Sequence, residues 1–142
     1  MLTQPLTKAQ MDNLSPLALA SVGDSVYDLM VRTHLCAQGL TKAGKLHEAR
    51  VRLVNATAQA IAADTIAPML TQEEANVFRR GRNAQPGSIP SSASREEYQA
   101  ATALETLLGY LYLTGQHERL RELAETAWAA IPQGQSNLNP RG

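Results

Sequence analysis

Residues 17–38 read LALASVGDSVYDLMVRTHLCAQ, and this stretch decides the fold class. Its apolar side chains recur at helical spacing and occupy positions around the whole helix, a pattern that is typical of a core helix. Ser15 and Pro16 precede the stretch as a side-chain cap and a first-turn proline, and Gly39 follows it as a helix stop. The stretch therefore predicts a long α-helix in the middle of a helical protein.

The rest of the chain predicts further helices, since aromatic residues, which favour strands, make up only 4% of it. Periodicity and capping residues predict these helices over about residues 45–63, 71–81, 94–115 and 117–131. Residues 83–94, NAQPGSIPSSAS, favour a long exposed loop because they contain prolines, a glycine and serines. We expect one all-α domain of five or six helices over residues 1–132, and a polar, disordered tail over residues 133–142.

The charges are balanced overall but are separated along the chain. The 142 residues contain 13 basic and 13 acidic side chains, which gives a formal net charge of +0. Nine of the basic residues but only four of the acids lie between Arg32 and Arg95, so the middle of the chain is basic and its flanks are acidic. Neutrality therefore does not exclude a polyanionic partner.

Cysteine content and hydropathy indicate an intracellular protein without a membrane span. The single cysteine, Cys36, cannot form an internal disulfide, and we expect it to be a small buried thiol. No apolar run reaches the roughly 20 residues of a membrane helix, and the N-terminus does not resemble a signal peptide. We expect a soluble, cytoplasmic protein.

Two carboxylates, Asp24 and Glu105, occur where the sequence is apolar on nearly every side of a predicted helix. An ionised carboxylate in such a position costs on the order of several kcal/mol unless it is paired or binds a metal. One explanation is a polar notch or a buried ion pair with an arginine. The other is a pair of ligands for one divalent cation, and oxygen donors without a Cys/His cluster favour Mg²⁺ or Mn²⁺.

Gly23 directly precedes Asp24 in the middle of the predicted helix. A glycine in a helix interior costs about 1 kcal/mol relative to alanine. We expect that another helix, or a ligand, packs closely against the backbone at this position.

A cluster of arginines lies at the end of the helix predicted over residues 71–81 and leads into the predicted loop. A helix C-terminus attracts cations, but this explains only one or two of them. Guanidinium groups also match the geometry of phosphates, and the chain has few aromatic side chains for stacking on single strands, so the cluster favours a duplex nucleic acid. The cluster consists of Arg79, Arg80 and Arg82, followed by Asn83.

Several motifs, taken in their order along the chain, resemble the mini-ribonuclease III family over about residues 14–131. They are GDSVYD at 23–28, LH at 46–47, RGRNA at 80–84, Thr102 with Glu105, and LGYLYL at 108–113. The resemblance implies the all-α ribonuclease III endonuclease fold and a homodimer without a separate double-stranded-RNA-binding domain. It also implies Mg²⁺-dependent cleavage of double-stranded RNA to 5′-phosphate products, with the large-subunit ribosomal RNA precursor as substrate.

Individual residues take their roles from this resemblance. Asp24 and Glu105 match the family's metal-binding catalytic acids, and Asp28 stands where the family usually has a glutamate that would support them. Ala20 and Thr102 stand where full-length ribonuclease III has two further acids, which leaves the number of metal ions open. The residues expected to hold the RNA backbone are Arg79, Arg80, Arg82 and Asn83, with Lys45 and Arg50 extending the track.

Two other functions remain open from the sequence alone. The first is a catalytically inactive RNA-binding or ribosome-assembly module with the same fold. The second is a helical metal-dependent phosphohydrolase of small nucleotides, which the absence of His-Asp pairs disfavours. A ribosomal protein that presents the RNA is a further candidate partner.

Overall fold

The computed structural model describes residues 4–84 and 94–132, and within these ranges the chain is helical and contains no strand. This confirms the expected all-α class. The predicted tail and most of the predicted loop, residues 85–93, lie outside the described residues. The helices are α1 (Lys8–Asp12), α2 (Pro16–Ala37), α3 (Ala43–Val54), α4 (Ala56–Ile66), α5 (Gln72–Arg82), α6 (Arg95–Leu113) and α7 (His117–Ala130), with a 3₁₀ turn at Ala67–Met69.

Helix α6 lies at the centre of the core and packs against α2, α4, α5 and α7. Ten of its residues are buried, because apolar side chains occupy almost every side of this helix. Leu104, Leu107, Leu108 and Leu111 are among the most deeply buried side chains of the described chain. Any side chain of α6 that reaches the surface is therefore held by a well-packed scaffold.

Two glycines let the backbones of α2 and α6 touch. A Cβ added at Gly23 would lie 1.7 Å from the carbonyl oxygen of Glu105, and one added at Gly109 would lie 2.0 Å from the carbonyl oxygen of Leu19. Only glycine fits where two helix backbones approach this closely. The expectation that another helix packs against Gly23 is confirmed, and the crossing places Asp24 beside Glu105.

The helix ends follow the capping residues. Ser15, Thr71 and Ser94 each accept a hydrogen bond from a backbone N–H in the first turn of α2, α5 and α6, as expected. Gly39 follows α2 with a φ of 100°, a conformation that favours glycine. The local signals for these four helix ends were therefore sufficient.

One predicted helix is two helices, and one helix was not predicted. The expected helix over residues 45–63 is interrupted at Asn55, whose extended backbone ends α3 and whose side chain caps α4 by accepting from Ala58 N at 2.8 Å. The five-residue helix α1 is held by a capping box between Thr7 and Gln10. Both features depend on polar side chains that interrupt or precede the apolar periodicity.

An ion pair ties α5 to α7. The Arg119 guanidinium donates to both carboxylate oxygens of Glu74 at 2.9 Å, and it also donates to the carbonyl oxygen of Met69. Glu74 is only 4% exposed, so the charge would be costly without this partner. The pair fixes the angle at which α5, which carries the arginine cluster, leaves the core.

Two surface properties complete the description. Cys36 is exposed, so the prediction of a buried thiol was wrong, because residues 36 and 37 lie at the solvent-facing end of α2. None of the described helices combines the length and the apolar character that crossing a bilayer would require.

Candidate active site

Asp24 and Glu105 line the same pocket, which has a volume of about 450 Å³ and lies between α2, α4 and α6. Asp24 is exposed at its mouth, whereas Glu105 is partly buried. The expectation that α2 surrounds Asp24 with core is thus wrong for the single chain, since Leu17 and Leu29 on the same helix are 38% and 61% exposed. The remaining lining residues are Leu17, Ala20, Ser21, Val54, Ala56, Gln59, Tyr98, Ala101 and Thr102.

The two carboxylates interact, and the pKa of Glu105 shows this interaction. Burial, followed by a hydrogen bond to Asp24 and the charge of Asp24, raises the pKa of Glu105 to about 8, and a contact with Gln59 opposes this rise. A carboxyl with this pKa keeps its proton near neutral pH while the pocket holds no cation. A divalent cation would remove the repulsion and favour two ionised carboxylates.

The donor set fits a magnesium-like ion. No group of three or more His, Cys, Asp or Glu side chains comes together in the part of the chain that the structure describes. Mg²⁺ is usually held by one or two carboxylates, with water and substrate phosphates completing its shell. Ala20 and Thr102, the two positions that the resemblance assigns to further acids, also line the pocket. Asp24 and Glu105 are therefore the acidic side chains of this pocket that could hold such an ion.

Asp28 lies one turn beyond Asp24 on α2 but does not line the pocket. It accepts a hydrogen bond from Arg32 Nε at 3.1 Å and another from Arg50 Nε. Partial burial opposes ionisation, but these two arginines prevail and lower the pKa of Asp28. The contacts of Asp28 therefore join α2 to α3, and a role beside the metal ligands stays a prediction.

The arginine cluster stands at the exposed end of α5. Arg79 and Arg80 line a second cavity of about 740 Å³ between α1, α2, α5 and α6, separate from the carboxylate pocket. Arg82 lies above the Phe78 ring, 5.8 Å from its centroid, and its Nη2 is 4.0 Å from an Asp64 oxygen. The cluster is therefore spread around the end of α5 and does not converge on one point.

The two remaining predicted RNA contacts lie on α3. Lys45 is exposed, and its Nζ is 3.8 Å from a carboxylate oxygen of Glu48. Arg50 is partly buried, and its guanidinium is engaged by Asp28. Lys45 is thus free to reach a ligand at modest cost, whereas Arg50 would first have to release α2.

Gln59 on α4 is the pocket residue that the sequence analysis missed. It is 4% exposed, and its side chain contacts the Glu105 carboxyl. The signal was present in ATAQAIAAD at residues 56–64, where one long polar side chain interrupts an alanine-rich, buried helix face. Nothing local, however, indicates which side chain it meets.

Comparison with known proteins supplies the family. The Ribonuclease III domain matches residues 17–116, which contain both carboxylates, and relatives named Mini-ribonuclease 3 align with most of the chain. The chain belongs to the mini-ribonuclease III family. It is 48% identical to Mini-ribonuclease 3 of Brevibacillus brevis over 86% of this chain and 90% of the relative. It is 45% identical to that of Symbiobacterium thermophilum over 94% and 98%.

A solved structure agrees with this assignment. The crystal structure of a Fusobacterium nucleatum protein superposes with a TM-score of 0.74 at 28% identity, covering 82% of this chain and 93% of the other. The family resemblance that the sequence motifs indicated is confirmed. Membership makes the protein an endoribonuclease, a hydrolase acting on RNA, and enzymes of the ribonuclease III family use divalent metal ions.

Proposed function

We propose that this endoribonuclease cleaves double-stranded RNA with Mg²⁺ held by Asp24 and Glu105, and that Mn²⁺ can replace it. The observation that carries the proposal is the meeting of these two carboxylates in one open pocket. The natural substrate is the large-subunit ribosomal RNA precursor, as the resemblance to the family implies. A ribosomal protein that presents this RNA is a candidate partner in the bacterial cytoplasm.

The carboxylates and the surrounding side chains divide the chemical work. When bound, the ion would lower the pKa of a coordinated water and stabilise charge on the scissile phosphate. Glu105 would release its proton to solvent on binding the cation, and Asp24 would hold the same cation from the exposed side of the pocket. Leu17, Val54 and Ala56 supply the apolar part of the pocket wall, and Ser21, Gln59 and Thr102 supply its uncharged polar part.

The arginine cluster would hold the RNA backbone outside the pocket. Arg79 and Arg80 are exposed, and phosphate contacts of this kind set the register of a duplex without reading its sequence. Glu105 and Tyr110, which lines the arginine cavity, lie about 8 Å apart along the axis of α6 but about 140° apart around it. The two cavities therefore face different sides of α6, and the proposed contacts of the cluster lie away from the carboxylates of the same chain. The proposed contacts are Arg79, Arg80, Arg82, Asn83 and Lys45, with Arg50 limited by its pairing with Asp28.

The exposed apolar face of α2 supports a homodimer. Leu29, 61% exposed, lines an apolar depression of about 370 Å³ with Val22, Met30 and Tyr112. This face lies beside Asp24 on the same helix, so a twofold axis here would bring two pockets to the two strands of one duplex. Each pocket would then cut one strand.

The decisive experiment incubates the purified protein with long duplex RNA, with Mg²⁺ or with a chelator. We expect cutting only with Mg²⁺, and a loss of more than about 100-fold in Asp24→Asn and Glu105→Gln, because even the groups behind metal ligands are worth 10–100-fold. Glu118→Gln removes an exposed carboxylate on α7 and should cut like the wild type.

The same assay separates the proposal from its rival. An inactive RNA-binding module predicts no cutting by the wild type and unchanged binding in the Asp24→Asn variant. The proposal predicts that the variant binds duplex RNA in Ca²⁺ but does not cut it. A wild type that leaves duplex RNA intact in Mg²⁺ and in Mn²⁺ would refute the proposal.

A further inference from the structure

Gln59 is buried in the carboxylate pocket, where it is 4% exposed. A buried amide is unfavourable unless it is hydrogen-bonded. Three other buried polar side chains are satisfied by the scaffold, since Glu74 pairs with an arginine and the Thr102 and Thr106 hydroxyls donate to carbonyl oxygens four residues earlier. Gln59 differs from these three because it lines the pocket beside the Glu105 carboxyl, inside the site.

The backbone that carries Gln59 is fixed to the helix that carries Glu105. The first turn of α4 is capped by Asn55, and Thr57 Oγ1 donates to a carboxylate oxygen of Glu97 at 2.8 Å. Glu97 stands in the first turn of α6, about two turns before Glu105. The Thr57–Glu97 hydrogen bond and the packing of α4 on α6 therefore hold Gln59 at the level of the carboxylate pocket.

The chemistry of an amide suits this position. An amide N–H donates to a carboxylate oxygen without adding charge, whereas a lysine or an arginine would repel the cation. A bond donated by this amide would occupy one side of the Glu105 carboxylate and leave its other lone pairs available. Groups that orient metal ligands in this way are worth about 10–100-fold in metal affinity.

We propose that Gln59 is a positioning residue that orients the Glu105 carboxylate toward Asp24, so that both bind the divalent ion. This inference rests on the proposed function, because it assumes that these carboxylates are the metal ligands. Gln59 acts through Glu105 and does not touch the RNA. Its loss should weaken metal binding and leave the affinity for duplex RNA unchanged.

The test uses Gln59→Met, which keeps the length of the side chain but removes the amide. Thr65→Val is the matched control, since it removes a partly buried polar group from the same helix, where Thr65 Oγ1 bonds to the Ile61 carbonyl. Mn²⁺ and Mg²⁺ binding are measured without RNA by calorimetry and by the rise in melting temperature. We expect affinity about 10-fold weaker in Gln59→Met and unchanged in Thr65→Val.

Cleavage gives a second measurement. The Mg²⁺ concentration for half-maximal cutting should rise by the same factor in Gln59→Met, while KM for duplex RNA at saturating Mg²⁺ stays at the wild-type value. If Gln59→Met melts too early, Gln59→Asn retains the amide but is one methylene too short, and the same weakening is expected.

The measurements distinguish a failure of the role proposed for Gln59 from a failure of the proposed function. If the wild type binds the ion and cuts RNA, and a variant at Gln59 that folds shows wild-type metal affinity, this inference alone is overturned, even where the melting temperature falls. If the wild type neither binds the ion nor cuts with it, the proposed function fails, and the role of Gln59 fails with it.

Discussion

Glu105→Gln should stabilise the metal-free protein at pH 8, although it removes a carboxylate that we propose to be catalytic. The pKa of Glu105 rises from 4.5 to about 8 on folding, through burial and the neighbouring Asp24. Between these values the folded protein retains a proton that the unfolded chain has released. The free energy of unfolding therefore falls as the pH rises through this window, and the contribution of Glu105 to it is fully present only below the pKa of the unfolded state.

The magnitude follows from the same shift. Each pH unit inside the window costs at most about 1.4 kcal/mol, so the whole window corresponds to roughly 3 to 5 kcal/mol. Glutamine at position 105 does not titrate and still fits the contact with Gln59. The variant should therefore exceed the wild type at pH 8 by an amount of this order and match it closely near pH 5.

Urea unfolding in the presence of a chelator, repeated from pH 5 to pH 8.5, measures the difference. Other titrating groups are common to both proteins, so the gap between the two profiles isolates Glu105. Glu118→Gln, which removes an exposed carboxylate, should follow the wild-type profile. Adding Mg²⁺ at pH 8 should stabilise the wild type more than Glu105→Gln. Parallel profiles of the wild type and Glu105→Gln across the window would refute the reasoning.

Two further predictions concern the scaffold. Gly23→Ala should destabilise the protein by more than about 4 kcal/mol, since its Cβ would stand 1.7 Å from a carbonyl oxygen of α6. Gly44→Ala, which meets nothing within 4 Å, should instead stabilise it by about 0.5–1 kcal/mol. Equal melting temperatures of the two variants would contradict this prediction. Glu74→Gln should cost about 3 kcal/mol because it leaves Arg119 without its buried partner. The fold favours the ionised form of Glu74, so the contribution of this ion pair to the free energy of unfolding should be lost as the pH falls below about 4.5. If the urea midpoint of Glu74→Gln equals that of Glu118→Gln, the ion pair contributes little to stability.

Much of the fold was predictable because helix ends are local. Ser15, Thr71 and Ser94 act through backbone groups three residues away, and such contacts can be inferred from spacing. The break at Asn55 was not predictable, because the apolar periodicity continues on both sides of it and a single polar side chain determines where α3 ends and α4 begins. Whether an asparagine interrupts a helix or stays within it depends on tertiary packing.

The site was predictable in part. Asp24 and Glu105 stood out as charges in apolar helices, and the glycine before Asp24 indicated close packing. Gln59 was missed because its meaning lies in its contact with a residue 46 positions away, which no local pattern encodes. The partial burial of Arg50 was missed for the same reason, since its partner Asp28 belongs to another helix.

The contact between Gly23 and Gly109 has a consequence for how this enzyme can diverge. With no side chain between the two backbones, there is no layer that successive small substitutions could enlarge or reduce. A change at either glycine must separate two main chains, so intermediate forms would lose the fold before they gained a new geometry. A change in which RNA is cut would therefore have to come from the pocket rim or the arginine cluster, because the helix crossing that sets the distance between the two carboxylates leaves no room for gradual change.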